Sequence, residues 1–147
     1  MKKTRRTASV LWKSGAKGGT RSVSTESGAL NRAQFSFGIP LKIDPRTNPG
    51  ELVAAALVSS FSLALSTELG SSADVVGQIA TTATVNSEDL SSGWTITDIN
   101  LNVDAKLPKV TQGQFIDAAV QAKMNCMVCR LLRVNITMNA KLDQERS

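Results

Sequence analysis

The sequence predicts a mixed fold of strands and helices, in the order three strands, a helix, two strands, a helix, a short helix and a final strand. Three observations carry this reading. Hydrophobic alternation of period two marks Thr20 to Thr25, Trp94 to Leu107 and Val134 to Leu142. A twenty-residue apolar stretch opens at Asn48-Pro49 and stops at Gly70. A capping box at Thr111 starts a second helix that places Phe115, Ala118, Ala119 and Ala122 on one face.

The first forty residues read as strands joined by turns. Ala8 to Trp12 and Thr20 to Thr25 form a hairpin across the flexible connection Ser14 to Gly19. Ser27-Gly28 marks the next turn, after which Phe35 and Phe37 take the inward positions of a third strand that Pro40 ends. In the first helix Asn48 is the N-cap, Pro49 the first helical residue and Glu51 the capping-box partner. Apolar residues occupy nearly all faces of this helix as far as Phe61, as in a helix surrounded by protein. So small a domain has little to surround it with, which suggests enclosure by a second subunit. Two strands follow, Val75 to Val85 and Trp94 to Leu107, paired antiparallel across a turn-rich loop from Ser87 to Gly93. The second strand slips once in register between Ile96 and Ile99. Met127 to Leu132 is a short helix before the last strand.

At 147 residues the chain fits a single domain, 1–147, with residues 1–6 as a basic tail. A chain of this size buries roughly two-thirds of the surface it exposes when unfolded. Four of the 17 basic residues, Lys2, Lys3, Arg5 and Arg6, lie in that tail, and the other 13 are balanced by 12 acidic ones. The body is nearly neutral, and no aromatic RNA-binding motif or basic recognition helix follows the tail, so nucleic-acid binding is not expected. No apolar segment follows the N-terminal charges in the manner of a signal peptide. The run Leu52 to Leu65, broken by Ser59, Ser60 and Ser62, falls short of the about 18 residues of a membrane span. A soluble, cytoplasmic protein is the expectation.

Both cysteines lie in Asn125-Cys126-Met127-Val128-Cys129, which supplies only half of a four-ligand zinc site. With no histidine in the chain, neither a structural metal nor a His-based catalytic group is expected, and no cofactor is expected either. Gly15, Gly18 and Gly19 lack the spacing of a phosphate loop.

Three blocks, in order, carry a resemblance that covers nearly the whole chain. They are TRSVSTESGAL from Thr20 to Leu30, TNPGELVAAALVSSFSLALS from Thr47 to Ser66, and AKMNCMVCRLLRVNITMNAKL from Ala122 to Leu142. Together they resemble the OsmC/Ohr family, the osmotically inducible and organic-hydroperoxide-resistance proteins, and lean to its OsmC branch. The resemblance implies an α+β fold in which two chains intertwine as a homodimer, with antiparallel strands wrapped around central helices. It also implies an oxidative-stress role. Family members reduce organic hydroperoxides with a reactive cysteine on the central helix, whose sulfenic acid condenses with a second cysteine. Dithiols, in some members lipoylated proteins, then reduce the disulfide.

That chemistry needs a thiolate of depressed pKa, because the thiolate is the nucleophile and its sulfenic acid is what a second thiol resolves. In this sequence the family's peroxidatic position falls on Ser60, and the histidine often found three residues earlier falls on Leu57. The arginine that assists the thiolate falls near Pro40, with Arg46 or Arg32 as substitutes. Glu51 matches the helix-start glutamate and Cys126 the resolving cysteine, while Cys129 stands where many relatives carry serine. Half of the constellation is thus replaced, on the side of the first step.

Each of these residues also has a plain structural reading. Ser60 is a small residue at a tight helix crossing, or else the relic of the attacking cysteine. Glu51 is the capping partner of Asn48. Cys126 and Cys129 are a redox dithiol at a helix start, aided by the helix dipole and by Arg130 and Arg133, or else two small buried apolar residues. Phe35, Phe37, Phe61 and Phe115 are core, or else line an apolar pocket for a hydroperoxide tail.

Three functions follow. The first is an OsmC/Ohr-type homodimer whose standard peroxidase cycle is impaired at Ser60, leaving an apolar-ligand-binding module or a weak thiol reductant. The second is an active peroxidase attacking through Cys126 and resolving through Cys129. The third is a non-catalytic interaction protein.

Overall fold

The computed structural model describes residues 1–15, 19–36, 42–70 and 77–143. Phe37, Pro40 and Val75 lie outside them. Among the described residues the elements appear in the anticipated order: β1 (Ala8–Lys13), β2 (Thr20–Thr25), β3 (Ala33–Gln34), α1 (Pro49–Leu69), β4 (Gln78–Leu90), β5 (Gly93–Lys106), α2 (Gln112–Asn125), α3 (Met127–Leu131) and β6 (Asn135–Asp143). The chain forms two compact units, residues 1–49 and 50–147.

The first unit is a three-stranded sheet in the order β1-β2-β3, antiparallel throughout. Thr25 accepts from the Gly28 amide at 2.9 Å, and Gly28 adopts φ 80°, a left-handed turn that suits a residue without a Cβ. β3 is only two residues long, and Phe35 instead forms an isolated bridge with Thr47. The regular strand therefore stops at Gln34, before Phe35 and Ser36. Phe35 is half-buried and Ser36 is the buried residue, the reverse of the alternation anticipated there.

The second unit holds the core. β4 pairs antiparallel with β5, and the anticipated slip is real: Asn86 faces Asp98 while Ser87 faces Ile96, so Thr97 is the extra residue of a bulge. The hairpin loop is shorter than the sequence suggested. Pairing continues through Ser87, Glu88, Asp89 and Leu90 to a turn at Ser91-Ser92. This tip projects past the core, so neither face of residues 87–90 is buried and the segment carries no amphipathic alternation to betray it as strand. β6 pairs with β5 in parallel, which departs from the all-antiparallel arrangement expected. The α2–α3 connection is the crossover that makes a parallel pairing possible.

The buried face of β5, made by Ile99, Leu101, Val103 and Ala105, packs with Ile136 and Leu142 of β6, with Phe115, Ala118, Ala119 and Ala122 of α2, and with Leu57, Phe61 and Leu65 of α1. The alanines keep one face of α2 thin enough to lie close to its neighbours. α2 begins with the expected box: Thr111 Oγ1 accepts from the Gln114 amide at 3.1 Å and Gln114 Oε1 from the Thr111 amide at 3.0 Å. Gln112 Nε2 donates to the Leu142 carbonyl at 2.8 Å, fixing the helix start to the end of β6.

α1 is longer than its apolar run, at 21 residues, and passes by length and composition alone for a membrane span, as the core helix of a soluble protein also can. The helix outruns the apolar stretch Leu52 to Leu65 because Pro49 to Glu51 and Ser66 to Leu69 extend it at both ends. Only the stripe Leu57, Phe61 and Leu65, spaced four apart, is buried within the single chain, while Ala55, Ala56 and Ser59 are exposed and Leu63 is 72% exposed.

Phe61→Ala removes one of the two largest fully buried side chains among the described residues, and its stability loss is expected to be about 3–5 kcal/mol. Thr111→Ala loses only a cap, for about 1 kcal/mol. Denaturant midpoints of the two variants against the parent check the order.

Candidate functional site

The joint between α2 and α3 is built on Cys126. Its backbone turns to φ −55°, ψ 126°, which ends one helix and starts the next. The Cys126 amide donates to the Ala122 carbonyl at 2.8 Å, and its carbonyl accepts from the Arg130 amide at 3.0 Å. The first orphan amides of α3 need an acceptor, and the Cys126 sulfur supplies one, taking the Cys129 N–H at 3.3 Å. A thiol here does the work that serine or aspartate does at an ordinary cap.

α1 meets this joint through Ser60, whose Oγ lies 3.1 Å from Cys126 Sγ and accepts the Val128 amide at 3.2 Å. Eight residues further along the helix, Glu68 Oε1 accepts from Asn125 Nδ2 at 3.3 Å. Ser60 is half-buried and polar contacts hold it. A helix crossing would ask only for a small side chain, whereas here the hydroxyl satisfies an amide and a sulfur. The adjacent Ser59 does something different, being exposed with its hydroxyl donating to the Ala55 carbonyl one turn back at 2.7 Å.

The two thiols are distinct. Cys126 is fully buried and Cys129 half-buried. Burial pushes the Cys126 thiol up, but hydrogen bonds from the Cys129 thiol, the Ser60 hydroxyl and the backbone amides of Cys129 and Val128 outweigh it and hold the group below the ordinary thiol value. Cys129 is pushed up to about 12 by its own burial, by its hydrogen bond to Cys126 and by the charge on that neighbour, with Lys123 opposing weakly. A proton therefore leaves Cys126 first. Arg130 and Arg133 are not among the groups that shift either thiol; the depression comes from hydrogen bonds, and the sequence pointed to the wrong source.

The other candidates lie elsewhere. Glu51 is exposed on the first turn of α1. Nine residues separate it from Ser60, which puts it roughly 13 Å along the axis and on the opposite face of the helix. Leu57, one turn before Ser60, is fully buried in the core. Arg46 is committed to Asp44, with Nη2 2.7 Å from Oδ2 and Nε 3.0 Å from Oδ1, and the carboxyl is held at about 2 chiefly by that contact. Arg32 is exposed, with a left-handed φ of 54°. Phe61 and Phe115 are fully buried core rather than pocket lining. A groove bordered by Ile116, Val120, Met138 and Ala140 does not include Ser60 or either cysteine. Val128, whose amide completes the cluster, was not singled out by sequence; its only signal is its place inside C-x-x-C.

A family model described as OsmC-like protein matches residues 42–141. The chain belongs to the OsmC-like family. A curated relative, the peroxiredoxin OsmC of Escherichia coli K12, is 35% identical over 131 residues, spanning 89% of this chain and 92% of the relative. Among solved structures, an OsmC-like protein from Vibrio cholerae superposes with a TM-score of 0.78 at 18% identity, covering 95% of this chain and all of that one. An organic hydroperoxide resistance protein from Elizabethkingia anophelis gives 0.67 at 21% identity, covering 98% and 99%. The fold is therefore the α+β OsmC/Ohr fold.

Cys129→Ala withdraws one of the donors on the Cys126 sulfur. The pH midpoint for iodoacetamide labelling of Cys126 is expected below that of an ordinary thiol, at about 8.5, in the parent and shifted upward in the variant.

Proposed function

We propose that this chain is a thiol-dependent organic-hydroperoxide protein of the oxidative-stress type, working as a cytoplasmic homodimer, in which the family's first step is closed at position 60 and thiol chemistry rests with Cys126 and Cys129. The observation that carries the reading is the 3.1 Å contact of Ser60 Oγ with Cys126 Sγ. Where the family resemblance puts two sulfurs within reach of each other, one partner is oxygen. A serine hydroxyl is barely ionised at neutral pH and has no counterpart of the sulfenic acid, so neither the attack at 60 nor a 60–126 disulfide is open to this protein. What the site retains is a thiol of depressed pKa beside a second thiol three residues on.

The peroxide-handling class rests on the 35% identity to a protein named as a peroxiredoxin. Homodimer formation is supported by apolar surface that the single chain leaves uncovered. Leu63 on α1 is 72% exposed, and Val10, Leu11 and Trp12 of β1 are each more than half exposed. A 21-residue helix buried along one stripe only is what a second copy would enclose. The reductant is a dithiol, and Glu51 serves as a helix-start residue.

Reduced protein treated with cumene hydroperoxide is expected to lose both free thiols together and two hydrogens per chain by intact mass, with no further oxygen gained. Thiols that stay reduced overturn the redox reading and leave that of an apolar-ligand-binding or interaction dimer. Ser60→Cys is expected to raise peroxide consumption and to give a new cross-link from position 60 to Cys126, seen by peptide mass spectrometry. No gain in consumption would sink the view that position 60 is where the family cycle is broken.

A further inference from the structure

We propose that the Ser60–Cys126–Cys129 cluster runs in one direction, with Cys126 accepting oxygen from a hydroperoxide, Cys129 receiving the electrons that return it, and Ser60 acting as the positioning residue that aims a hydroxyl at the Cys126 sulfur. This rests on the assignment of the thiol chemistry to the two cysteines.

The direction follows from three features. The first is the bonding of Ser60. A serine hydroxyl carries one hydrogen and two lone pairs. The Val128 amide occupies a lone pair at 3.2 Å, which fixes the oxygen. Once Cys126 is a thiolate it has no hydrogen to give, so the 3.1 Å contact must be made by the serine proton donating to sulfur. Ser60 is then a dedicated donor to the anion.

The second feature is depth. Cys126 is fully buried, yet Ser60, Val128 and Cys129 around it are each only half-buried. The Cys126 sulfur is therefore the less accessible of the two to an external thiol. Cys129 is the sulfur such a thiol meets first. The third is leaving-group quality: the thiol of lower pKa departs more readily from a disulfide, and Cys126 is that thiol.

The steps balance as follows. The Cys126 thiolate attacks the distal peroxide oxygen; an S–O bond forms, the O–O bond breaks, and the alkoxide takes a proton and leaves as the alcohol, with sulfur oxidised by two electrons. The Cys129 sulfur attacks the resulting sulfenic acid, forming the S–S bond and expelling hydroxide, which leaves as water with the Cys129 proton. A thiolate of an external dithiol then attacks Cys129 Sγ and displaces the Cys126 thiolate. The dithiol's second thiol closes on its own mixed disulfide, frees Cys129 and departs oxidised.

The test has two arms, both on the full-length protein. In the first, the Cys126–Cys129 disulfide is formed with diamide, the protein is briefly exposed to glutathione and quenched in acid, and the adduct is located by fragmentation of the 124–130 peptide. Glutathione on Cys129 is expected, and glutathione on Cys126 overturns the direction. This arm needs no peroxide, so it stands apart from the hydroperoxide assay that decides the broader reading. In the second, the pH profile of cumene-hydroperoxide oxidation is compared between Ser60→Ala and Ser59→Ala, the latter removing a hydroxyl bonded only within α1. Ser60→Ala is expected to move the midpoint up by about one pH unit and slow oxidation about tenfold at neutral pH. Ser59→Ala is expected to match the parent. Equal profiles for the two variants would falsify the role given to Ser60.

Discussion

The geometry of the site depends on one packing constraint, the burial of Leu57, Phe61 and Leu65 as a single stripe of α1 against β5, β6 and α2. On a helix that turns 100° per residue, fixing that stripe fixes every other side chain. Ser60 falls on the flank of the stripe and is carried to the α2–α3 joint, while Ser59 is turned out to its own helix. The pair looks redundant in sequence and is divided in function by this rotation. The backbone of α1 would otherwise leave both hydroxyls free to bond one turn back, as Ser59, Ser66 and Thr67 do.

The joint itself is a second constraint. The crossover from β5 to a parallel β6 must turn sharply after α2, and Cys126 makes the turn with backbone torsions that belong to neither helix. A helix that starts at such a turn needs an acceptor for its free amides, and sulfur is a weak one. As a thiolate it becomes a strong one. The same geometry that ends α2 therefore rewards ionisation of Cys126, and Ser60 adds a donor from the side. Among the described residues, the Cys126 thiol is lowered by hydrogen bonds to a buried sulfur rather than by a cation.

Much of this was legible in the sequence, for local reasons. The capping box at Thr111, the alanine face of α2 and the register slip near Ile96 are patterns whose period the backbone dictates, and each appears where it was read. The position of Ser60 opposite Cys126 followed from resemblance to the family, and the structure brings the two together. What escaped was non-local or lacked a pattern. The parallel pairing of β6 is decided by a crossover rather than by the strand's own residues. The hairpin tip has no buried face to leave an alternation. The Val128 amide is a backbone donor, invisible to any reading of side chains. Arg130 and Arg133 were attractive because they are close in sequence, yet proximity along a chain does not aim a guanidinium at a sulfur.

The central claim is that oxygen is accepted by Cys126, with Ser60 as its donor and Cys129 as the sulfur that resolves it. Dimedone trapping in Cys129→Ser tests this most directly, because the serine keeps a hydrogen-bond donor at position 129 and removes the only thiol that can resolve a sulfenic acid. After one equivalent of cumene hydroperoxide the account predicts a dimedone adduct on Cys126 in nearly every chain. A Cys126 that remains a free thiol, under conditions where the parent protein forms its disulfide, would contradict it.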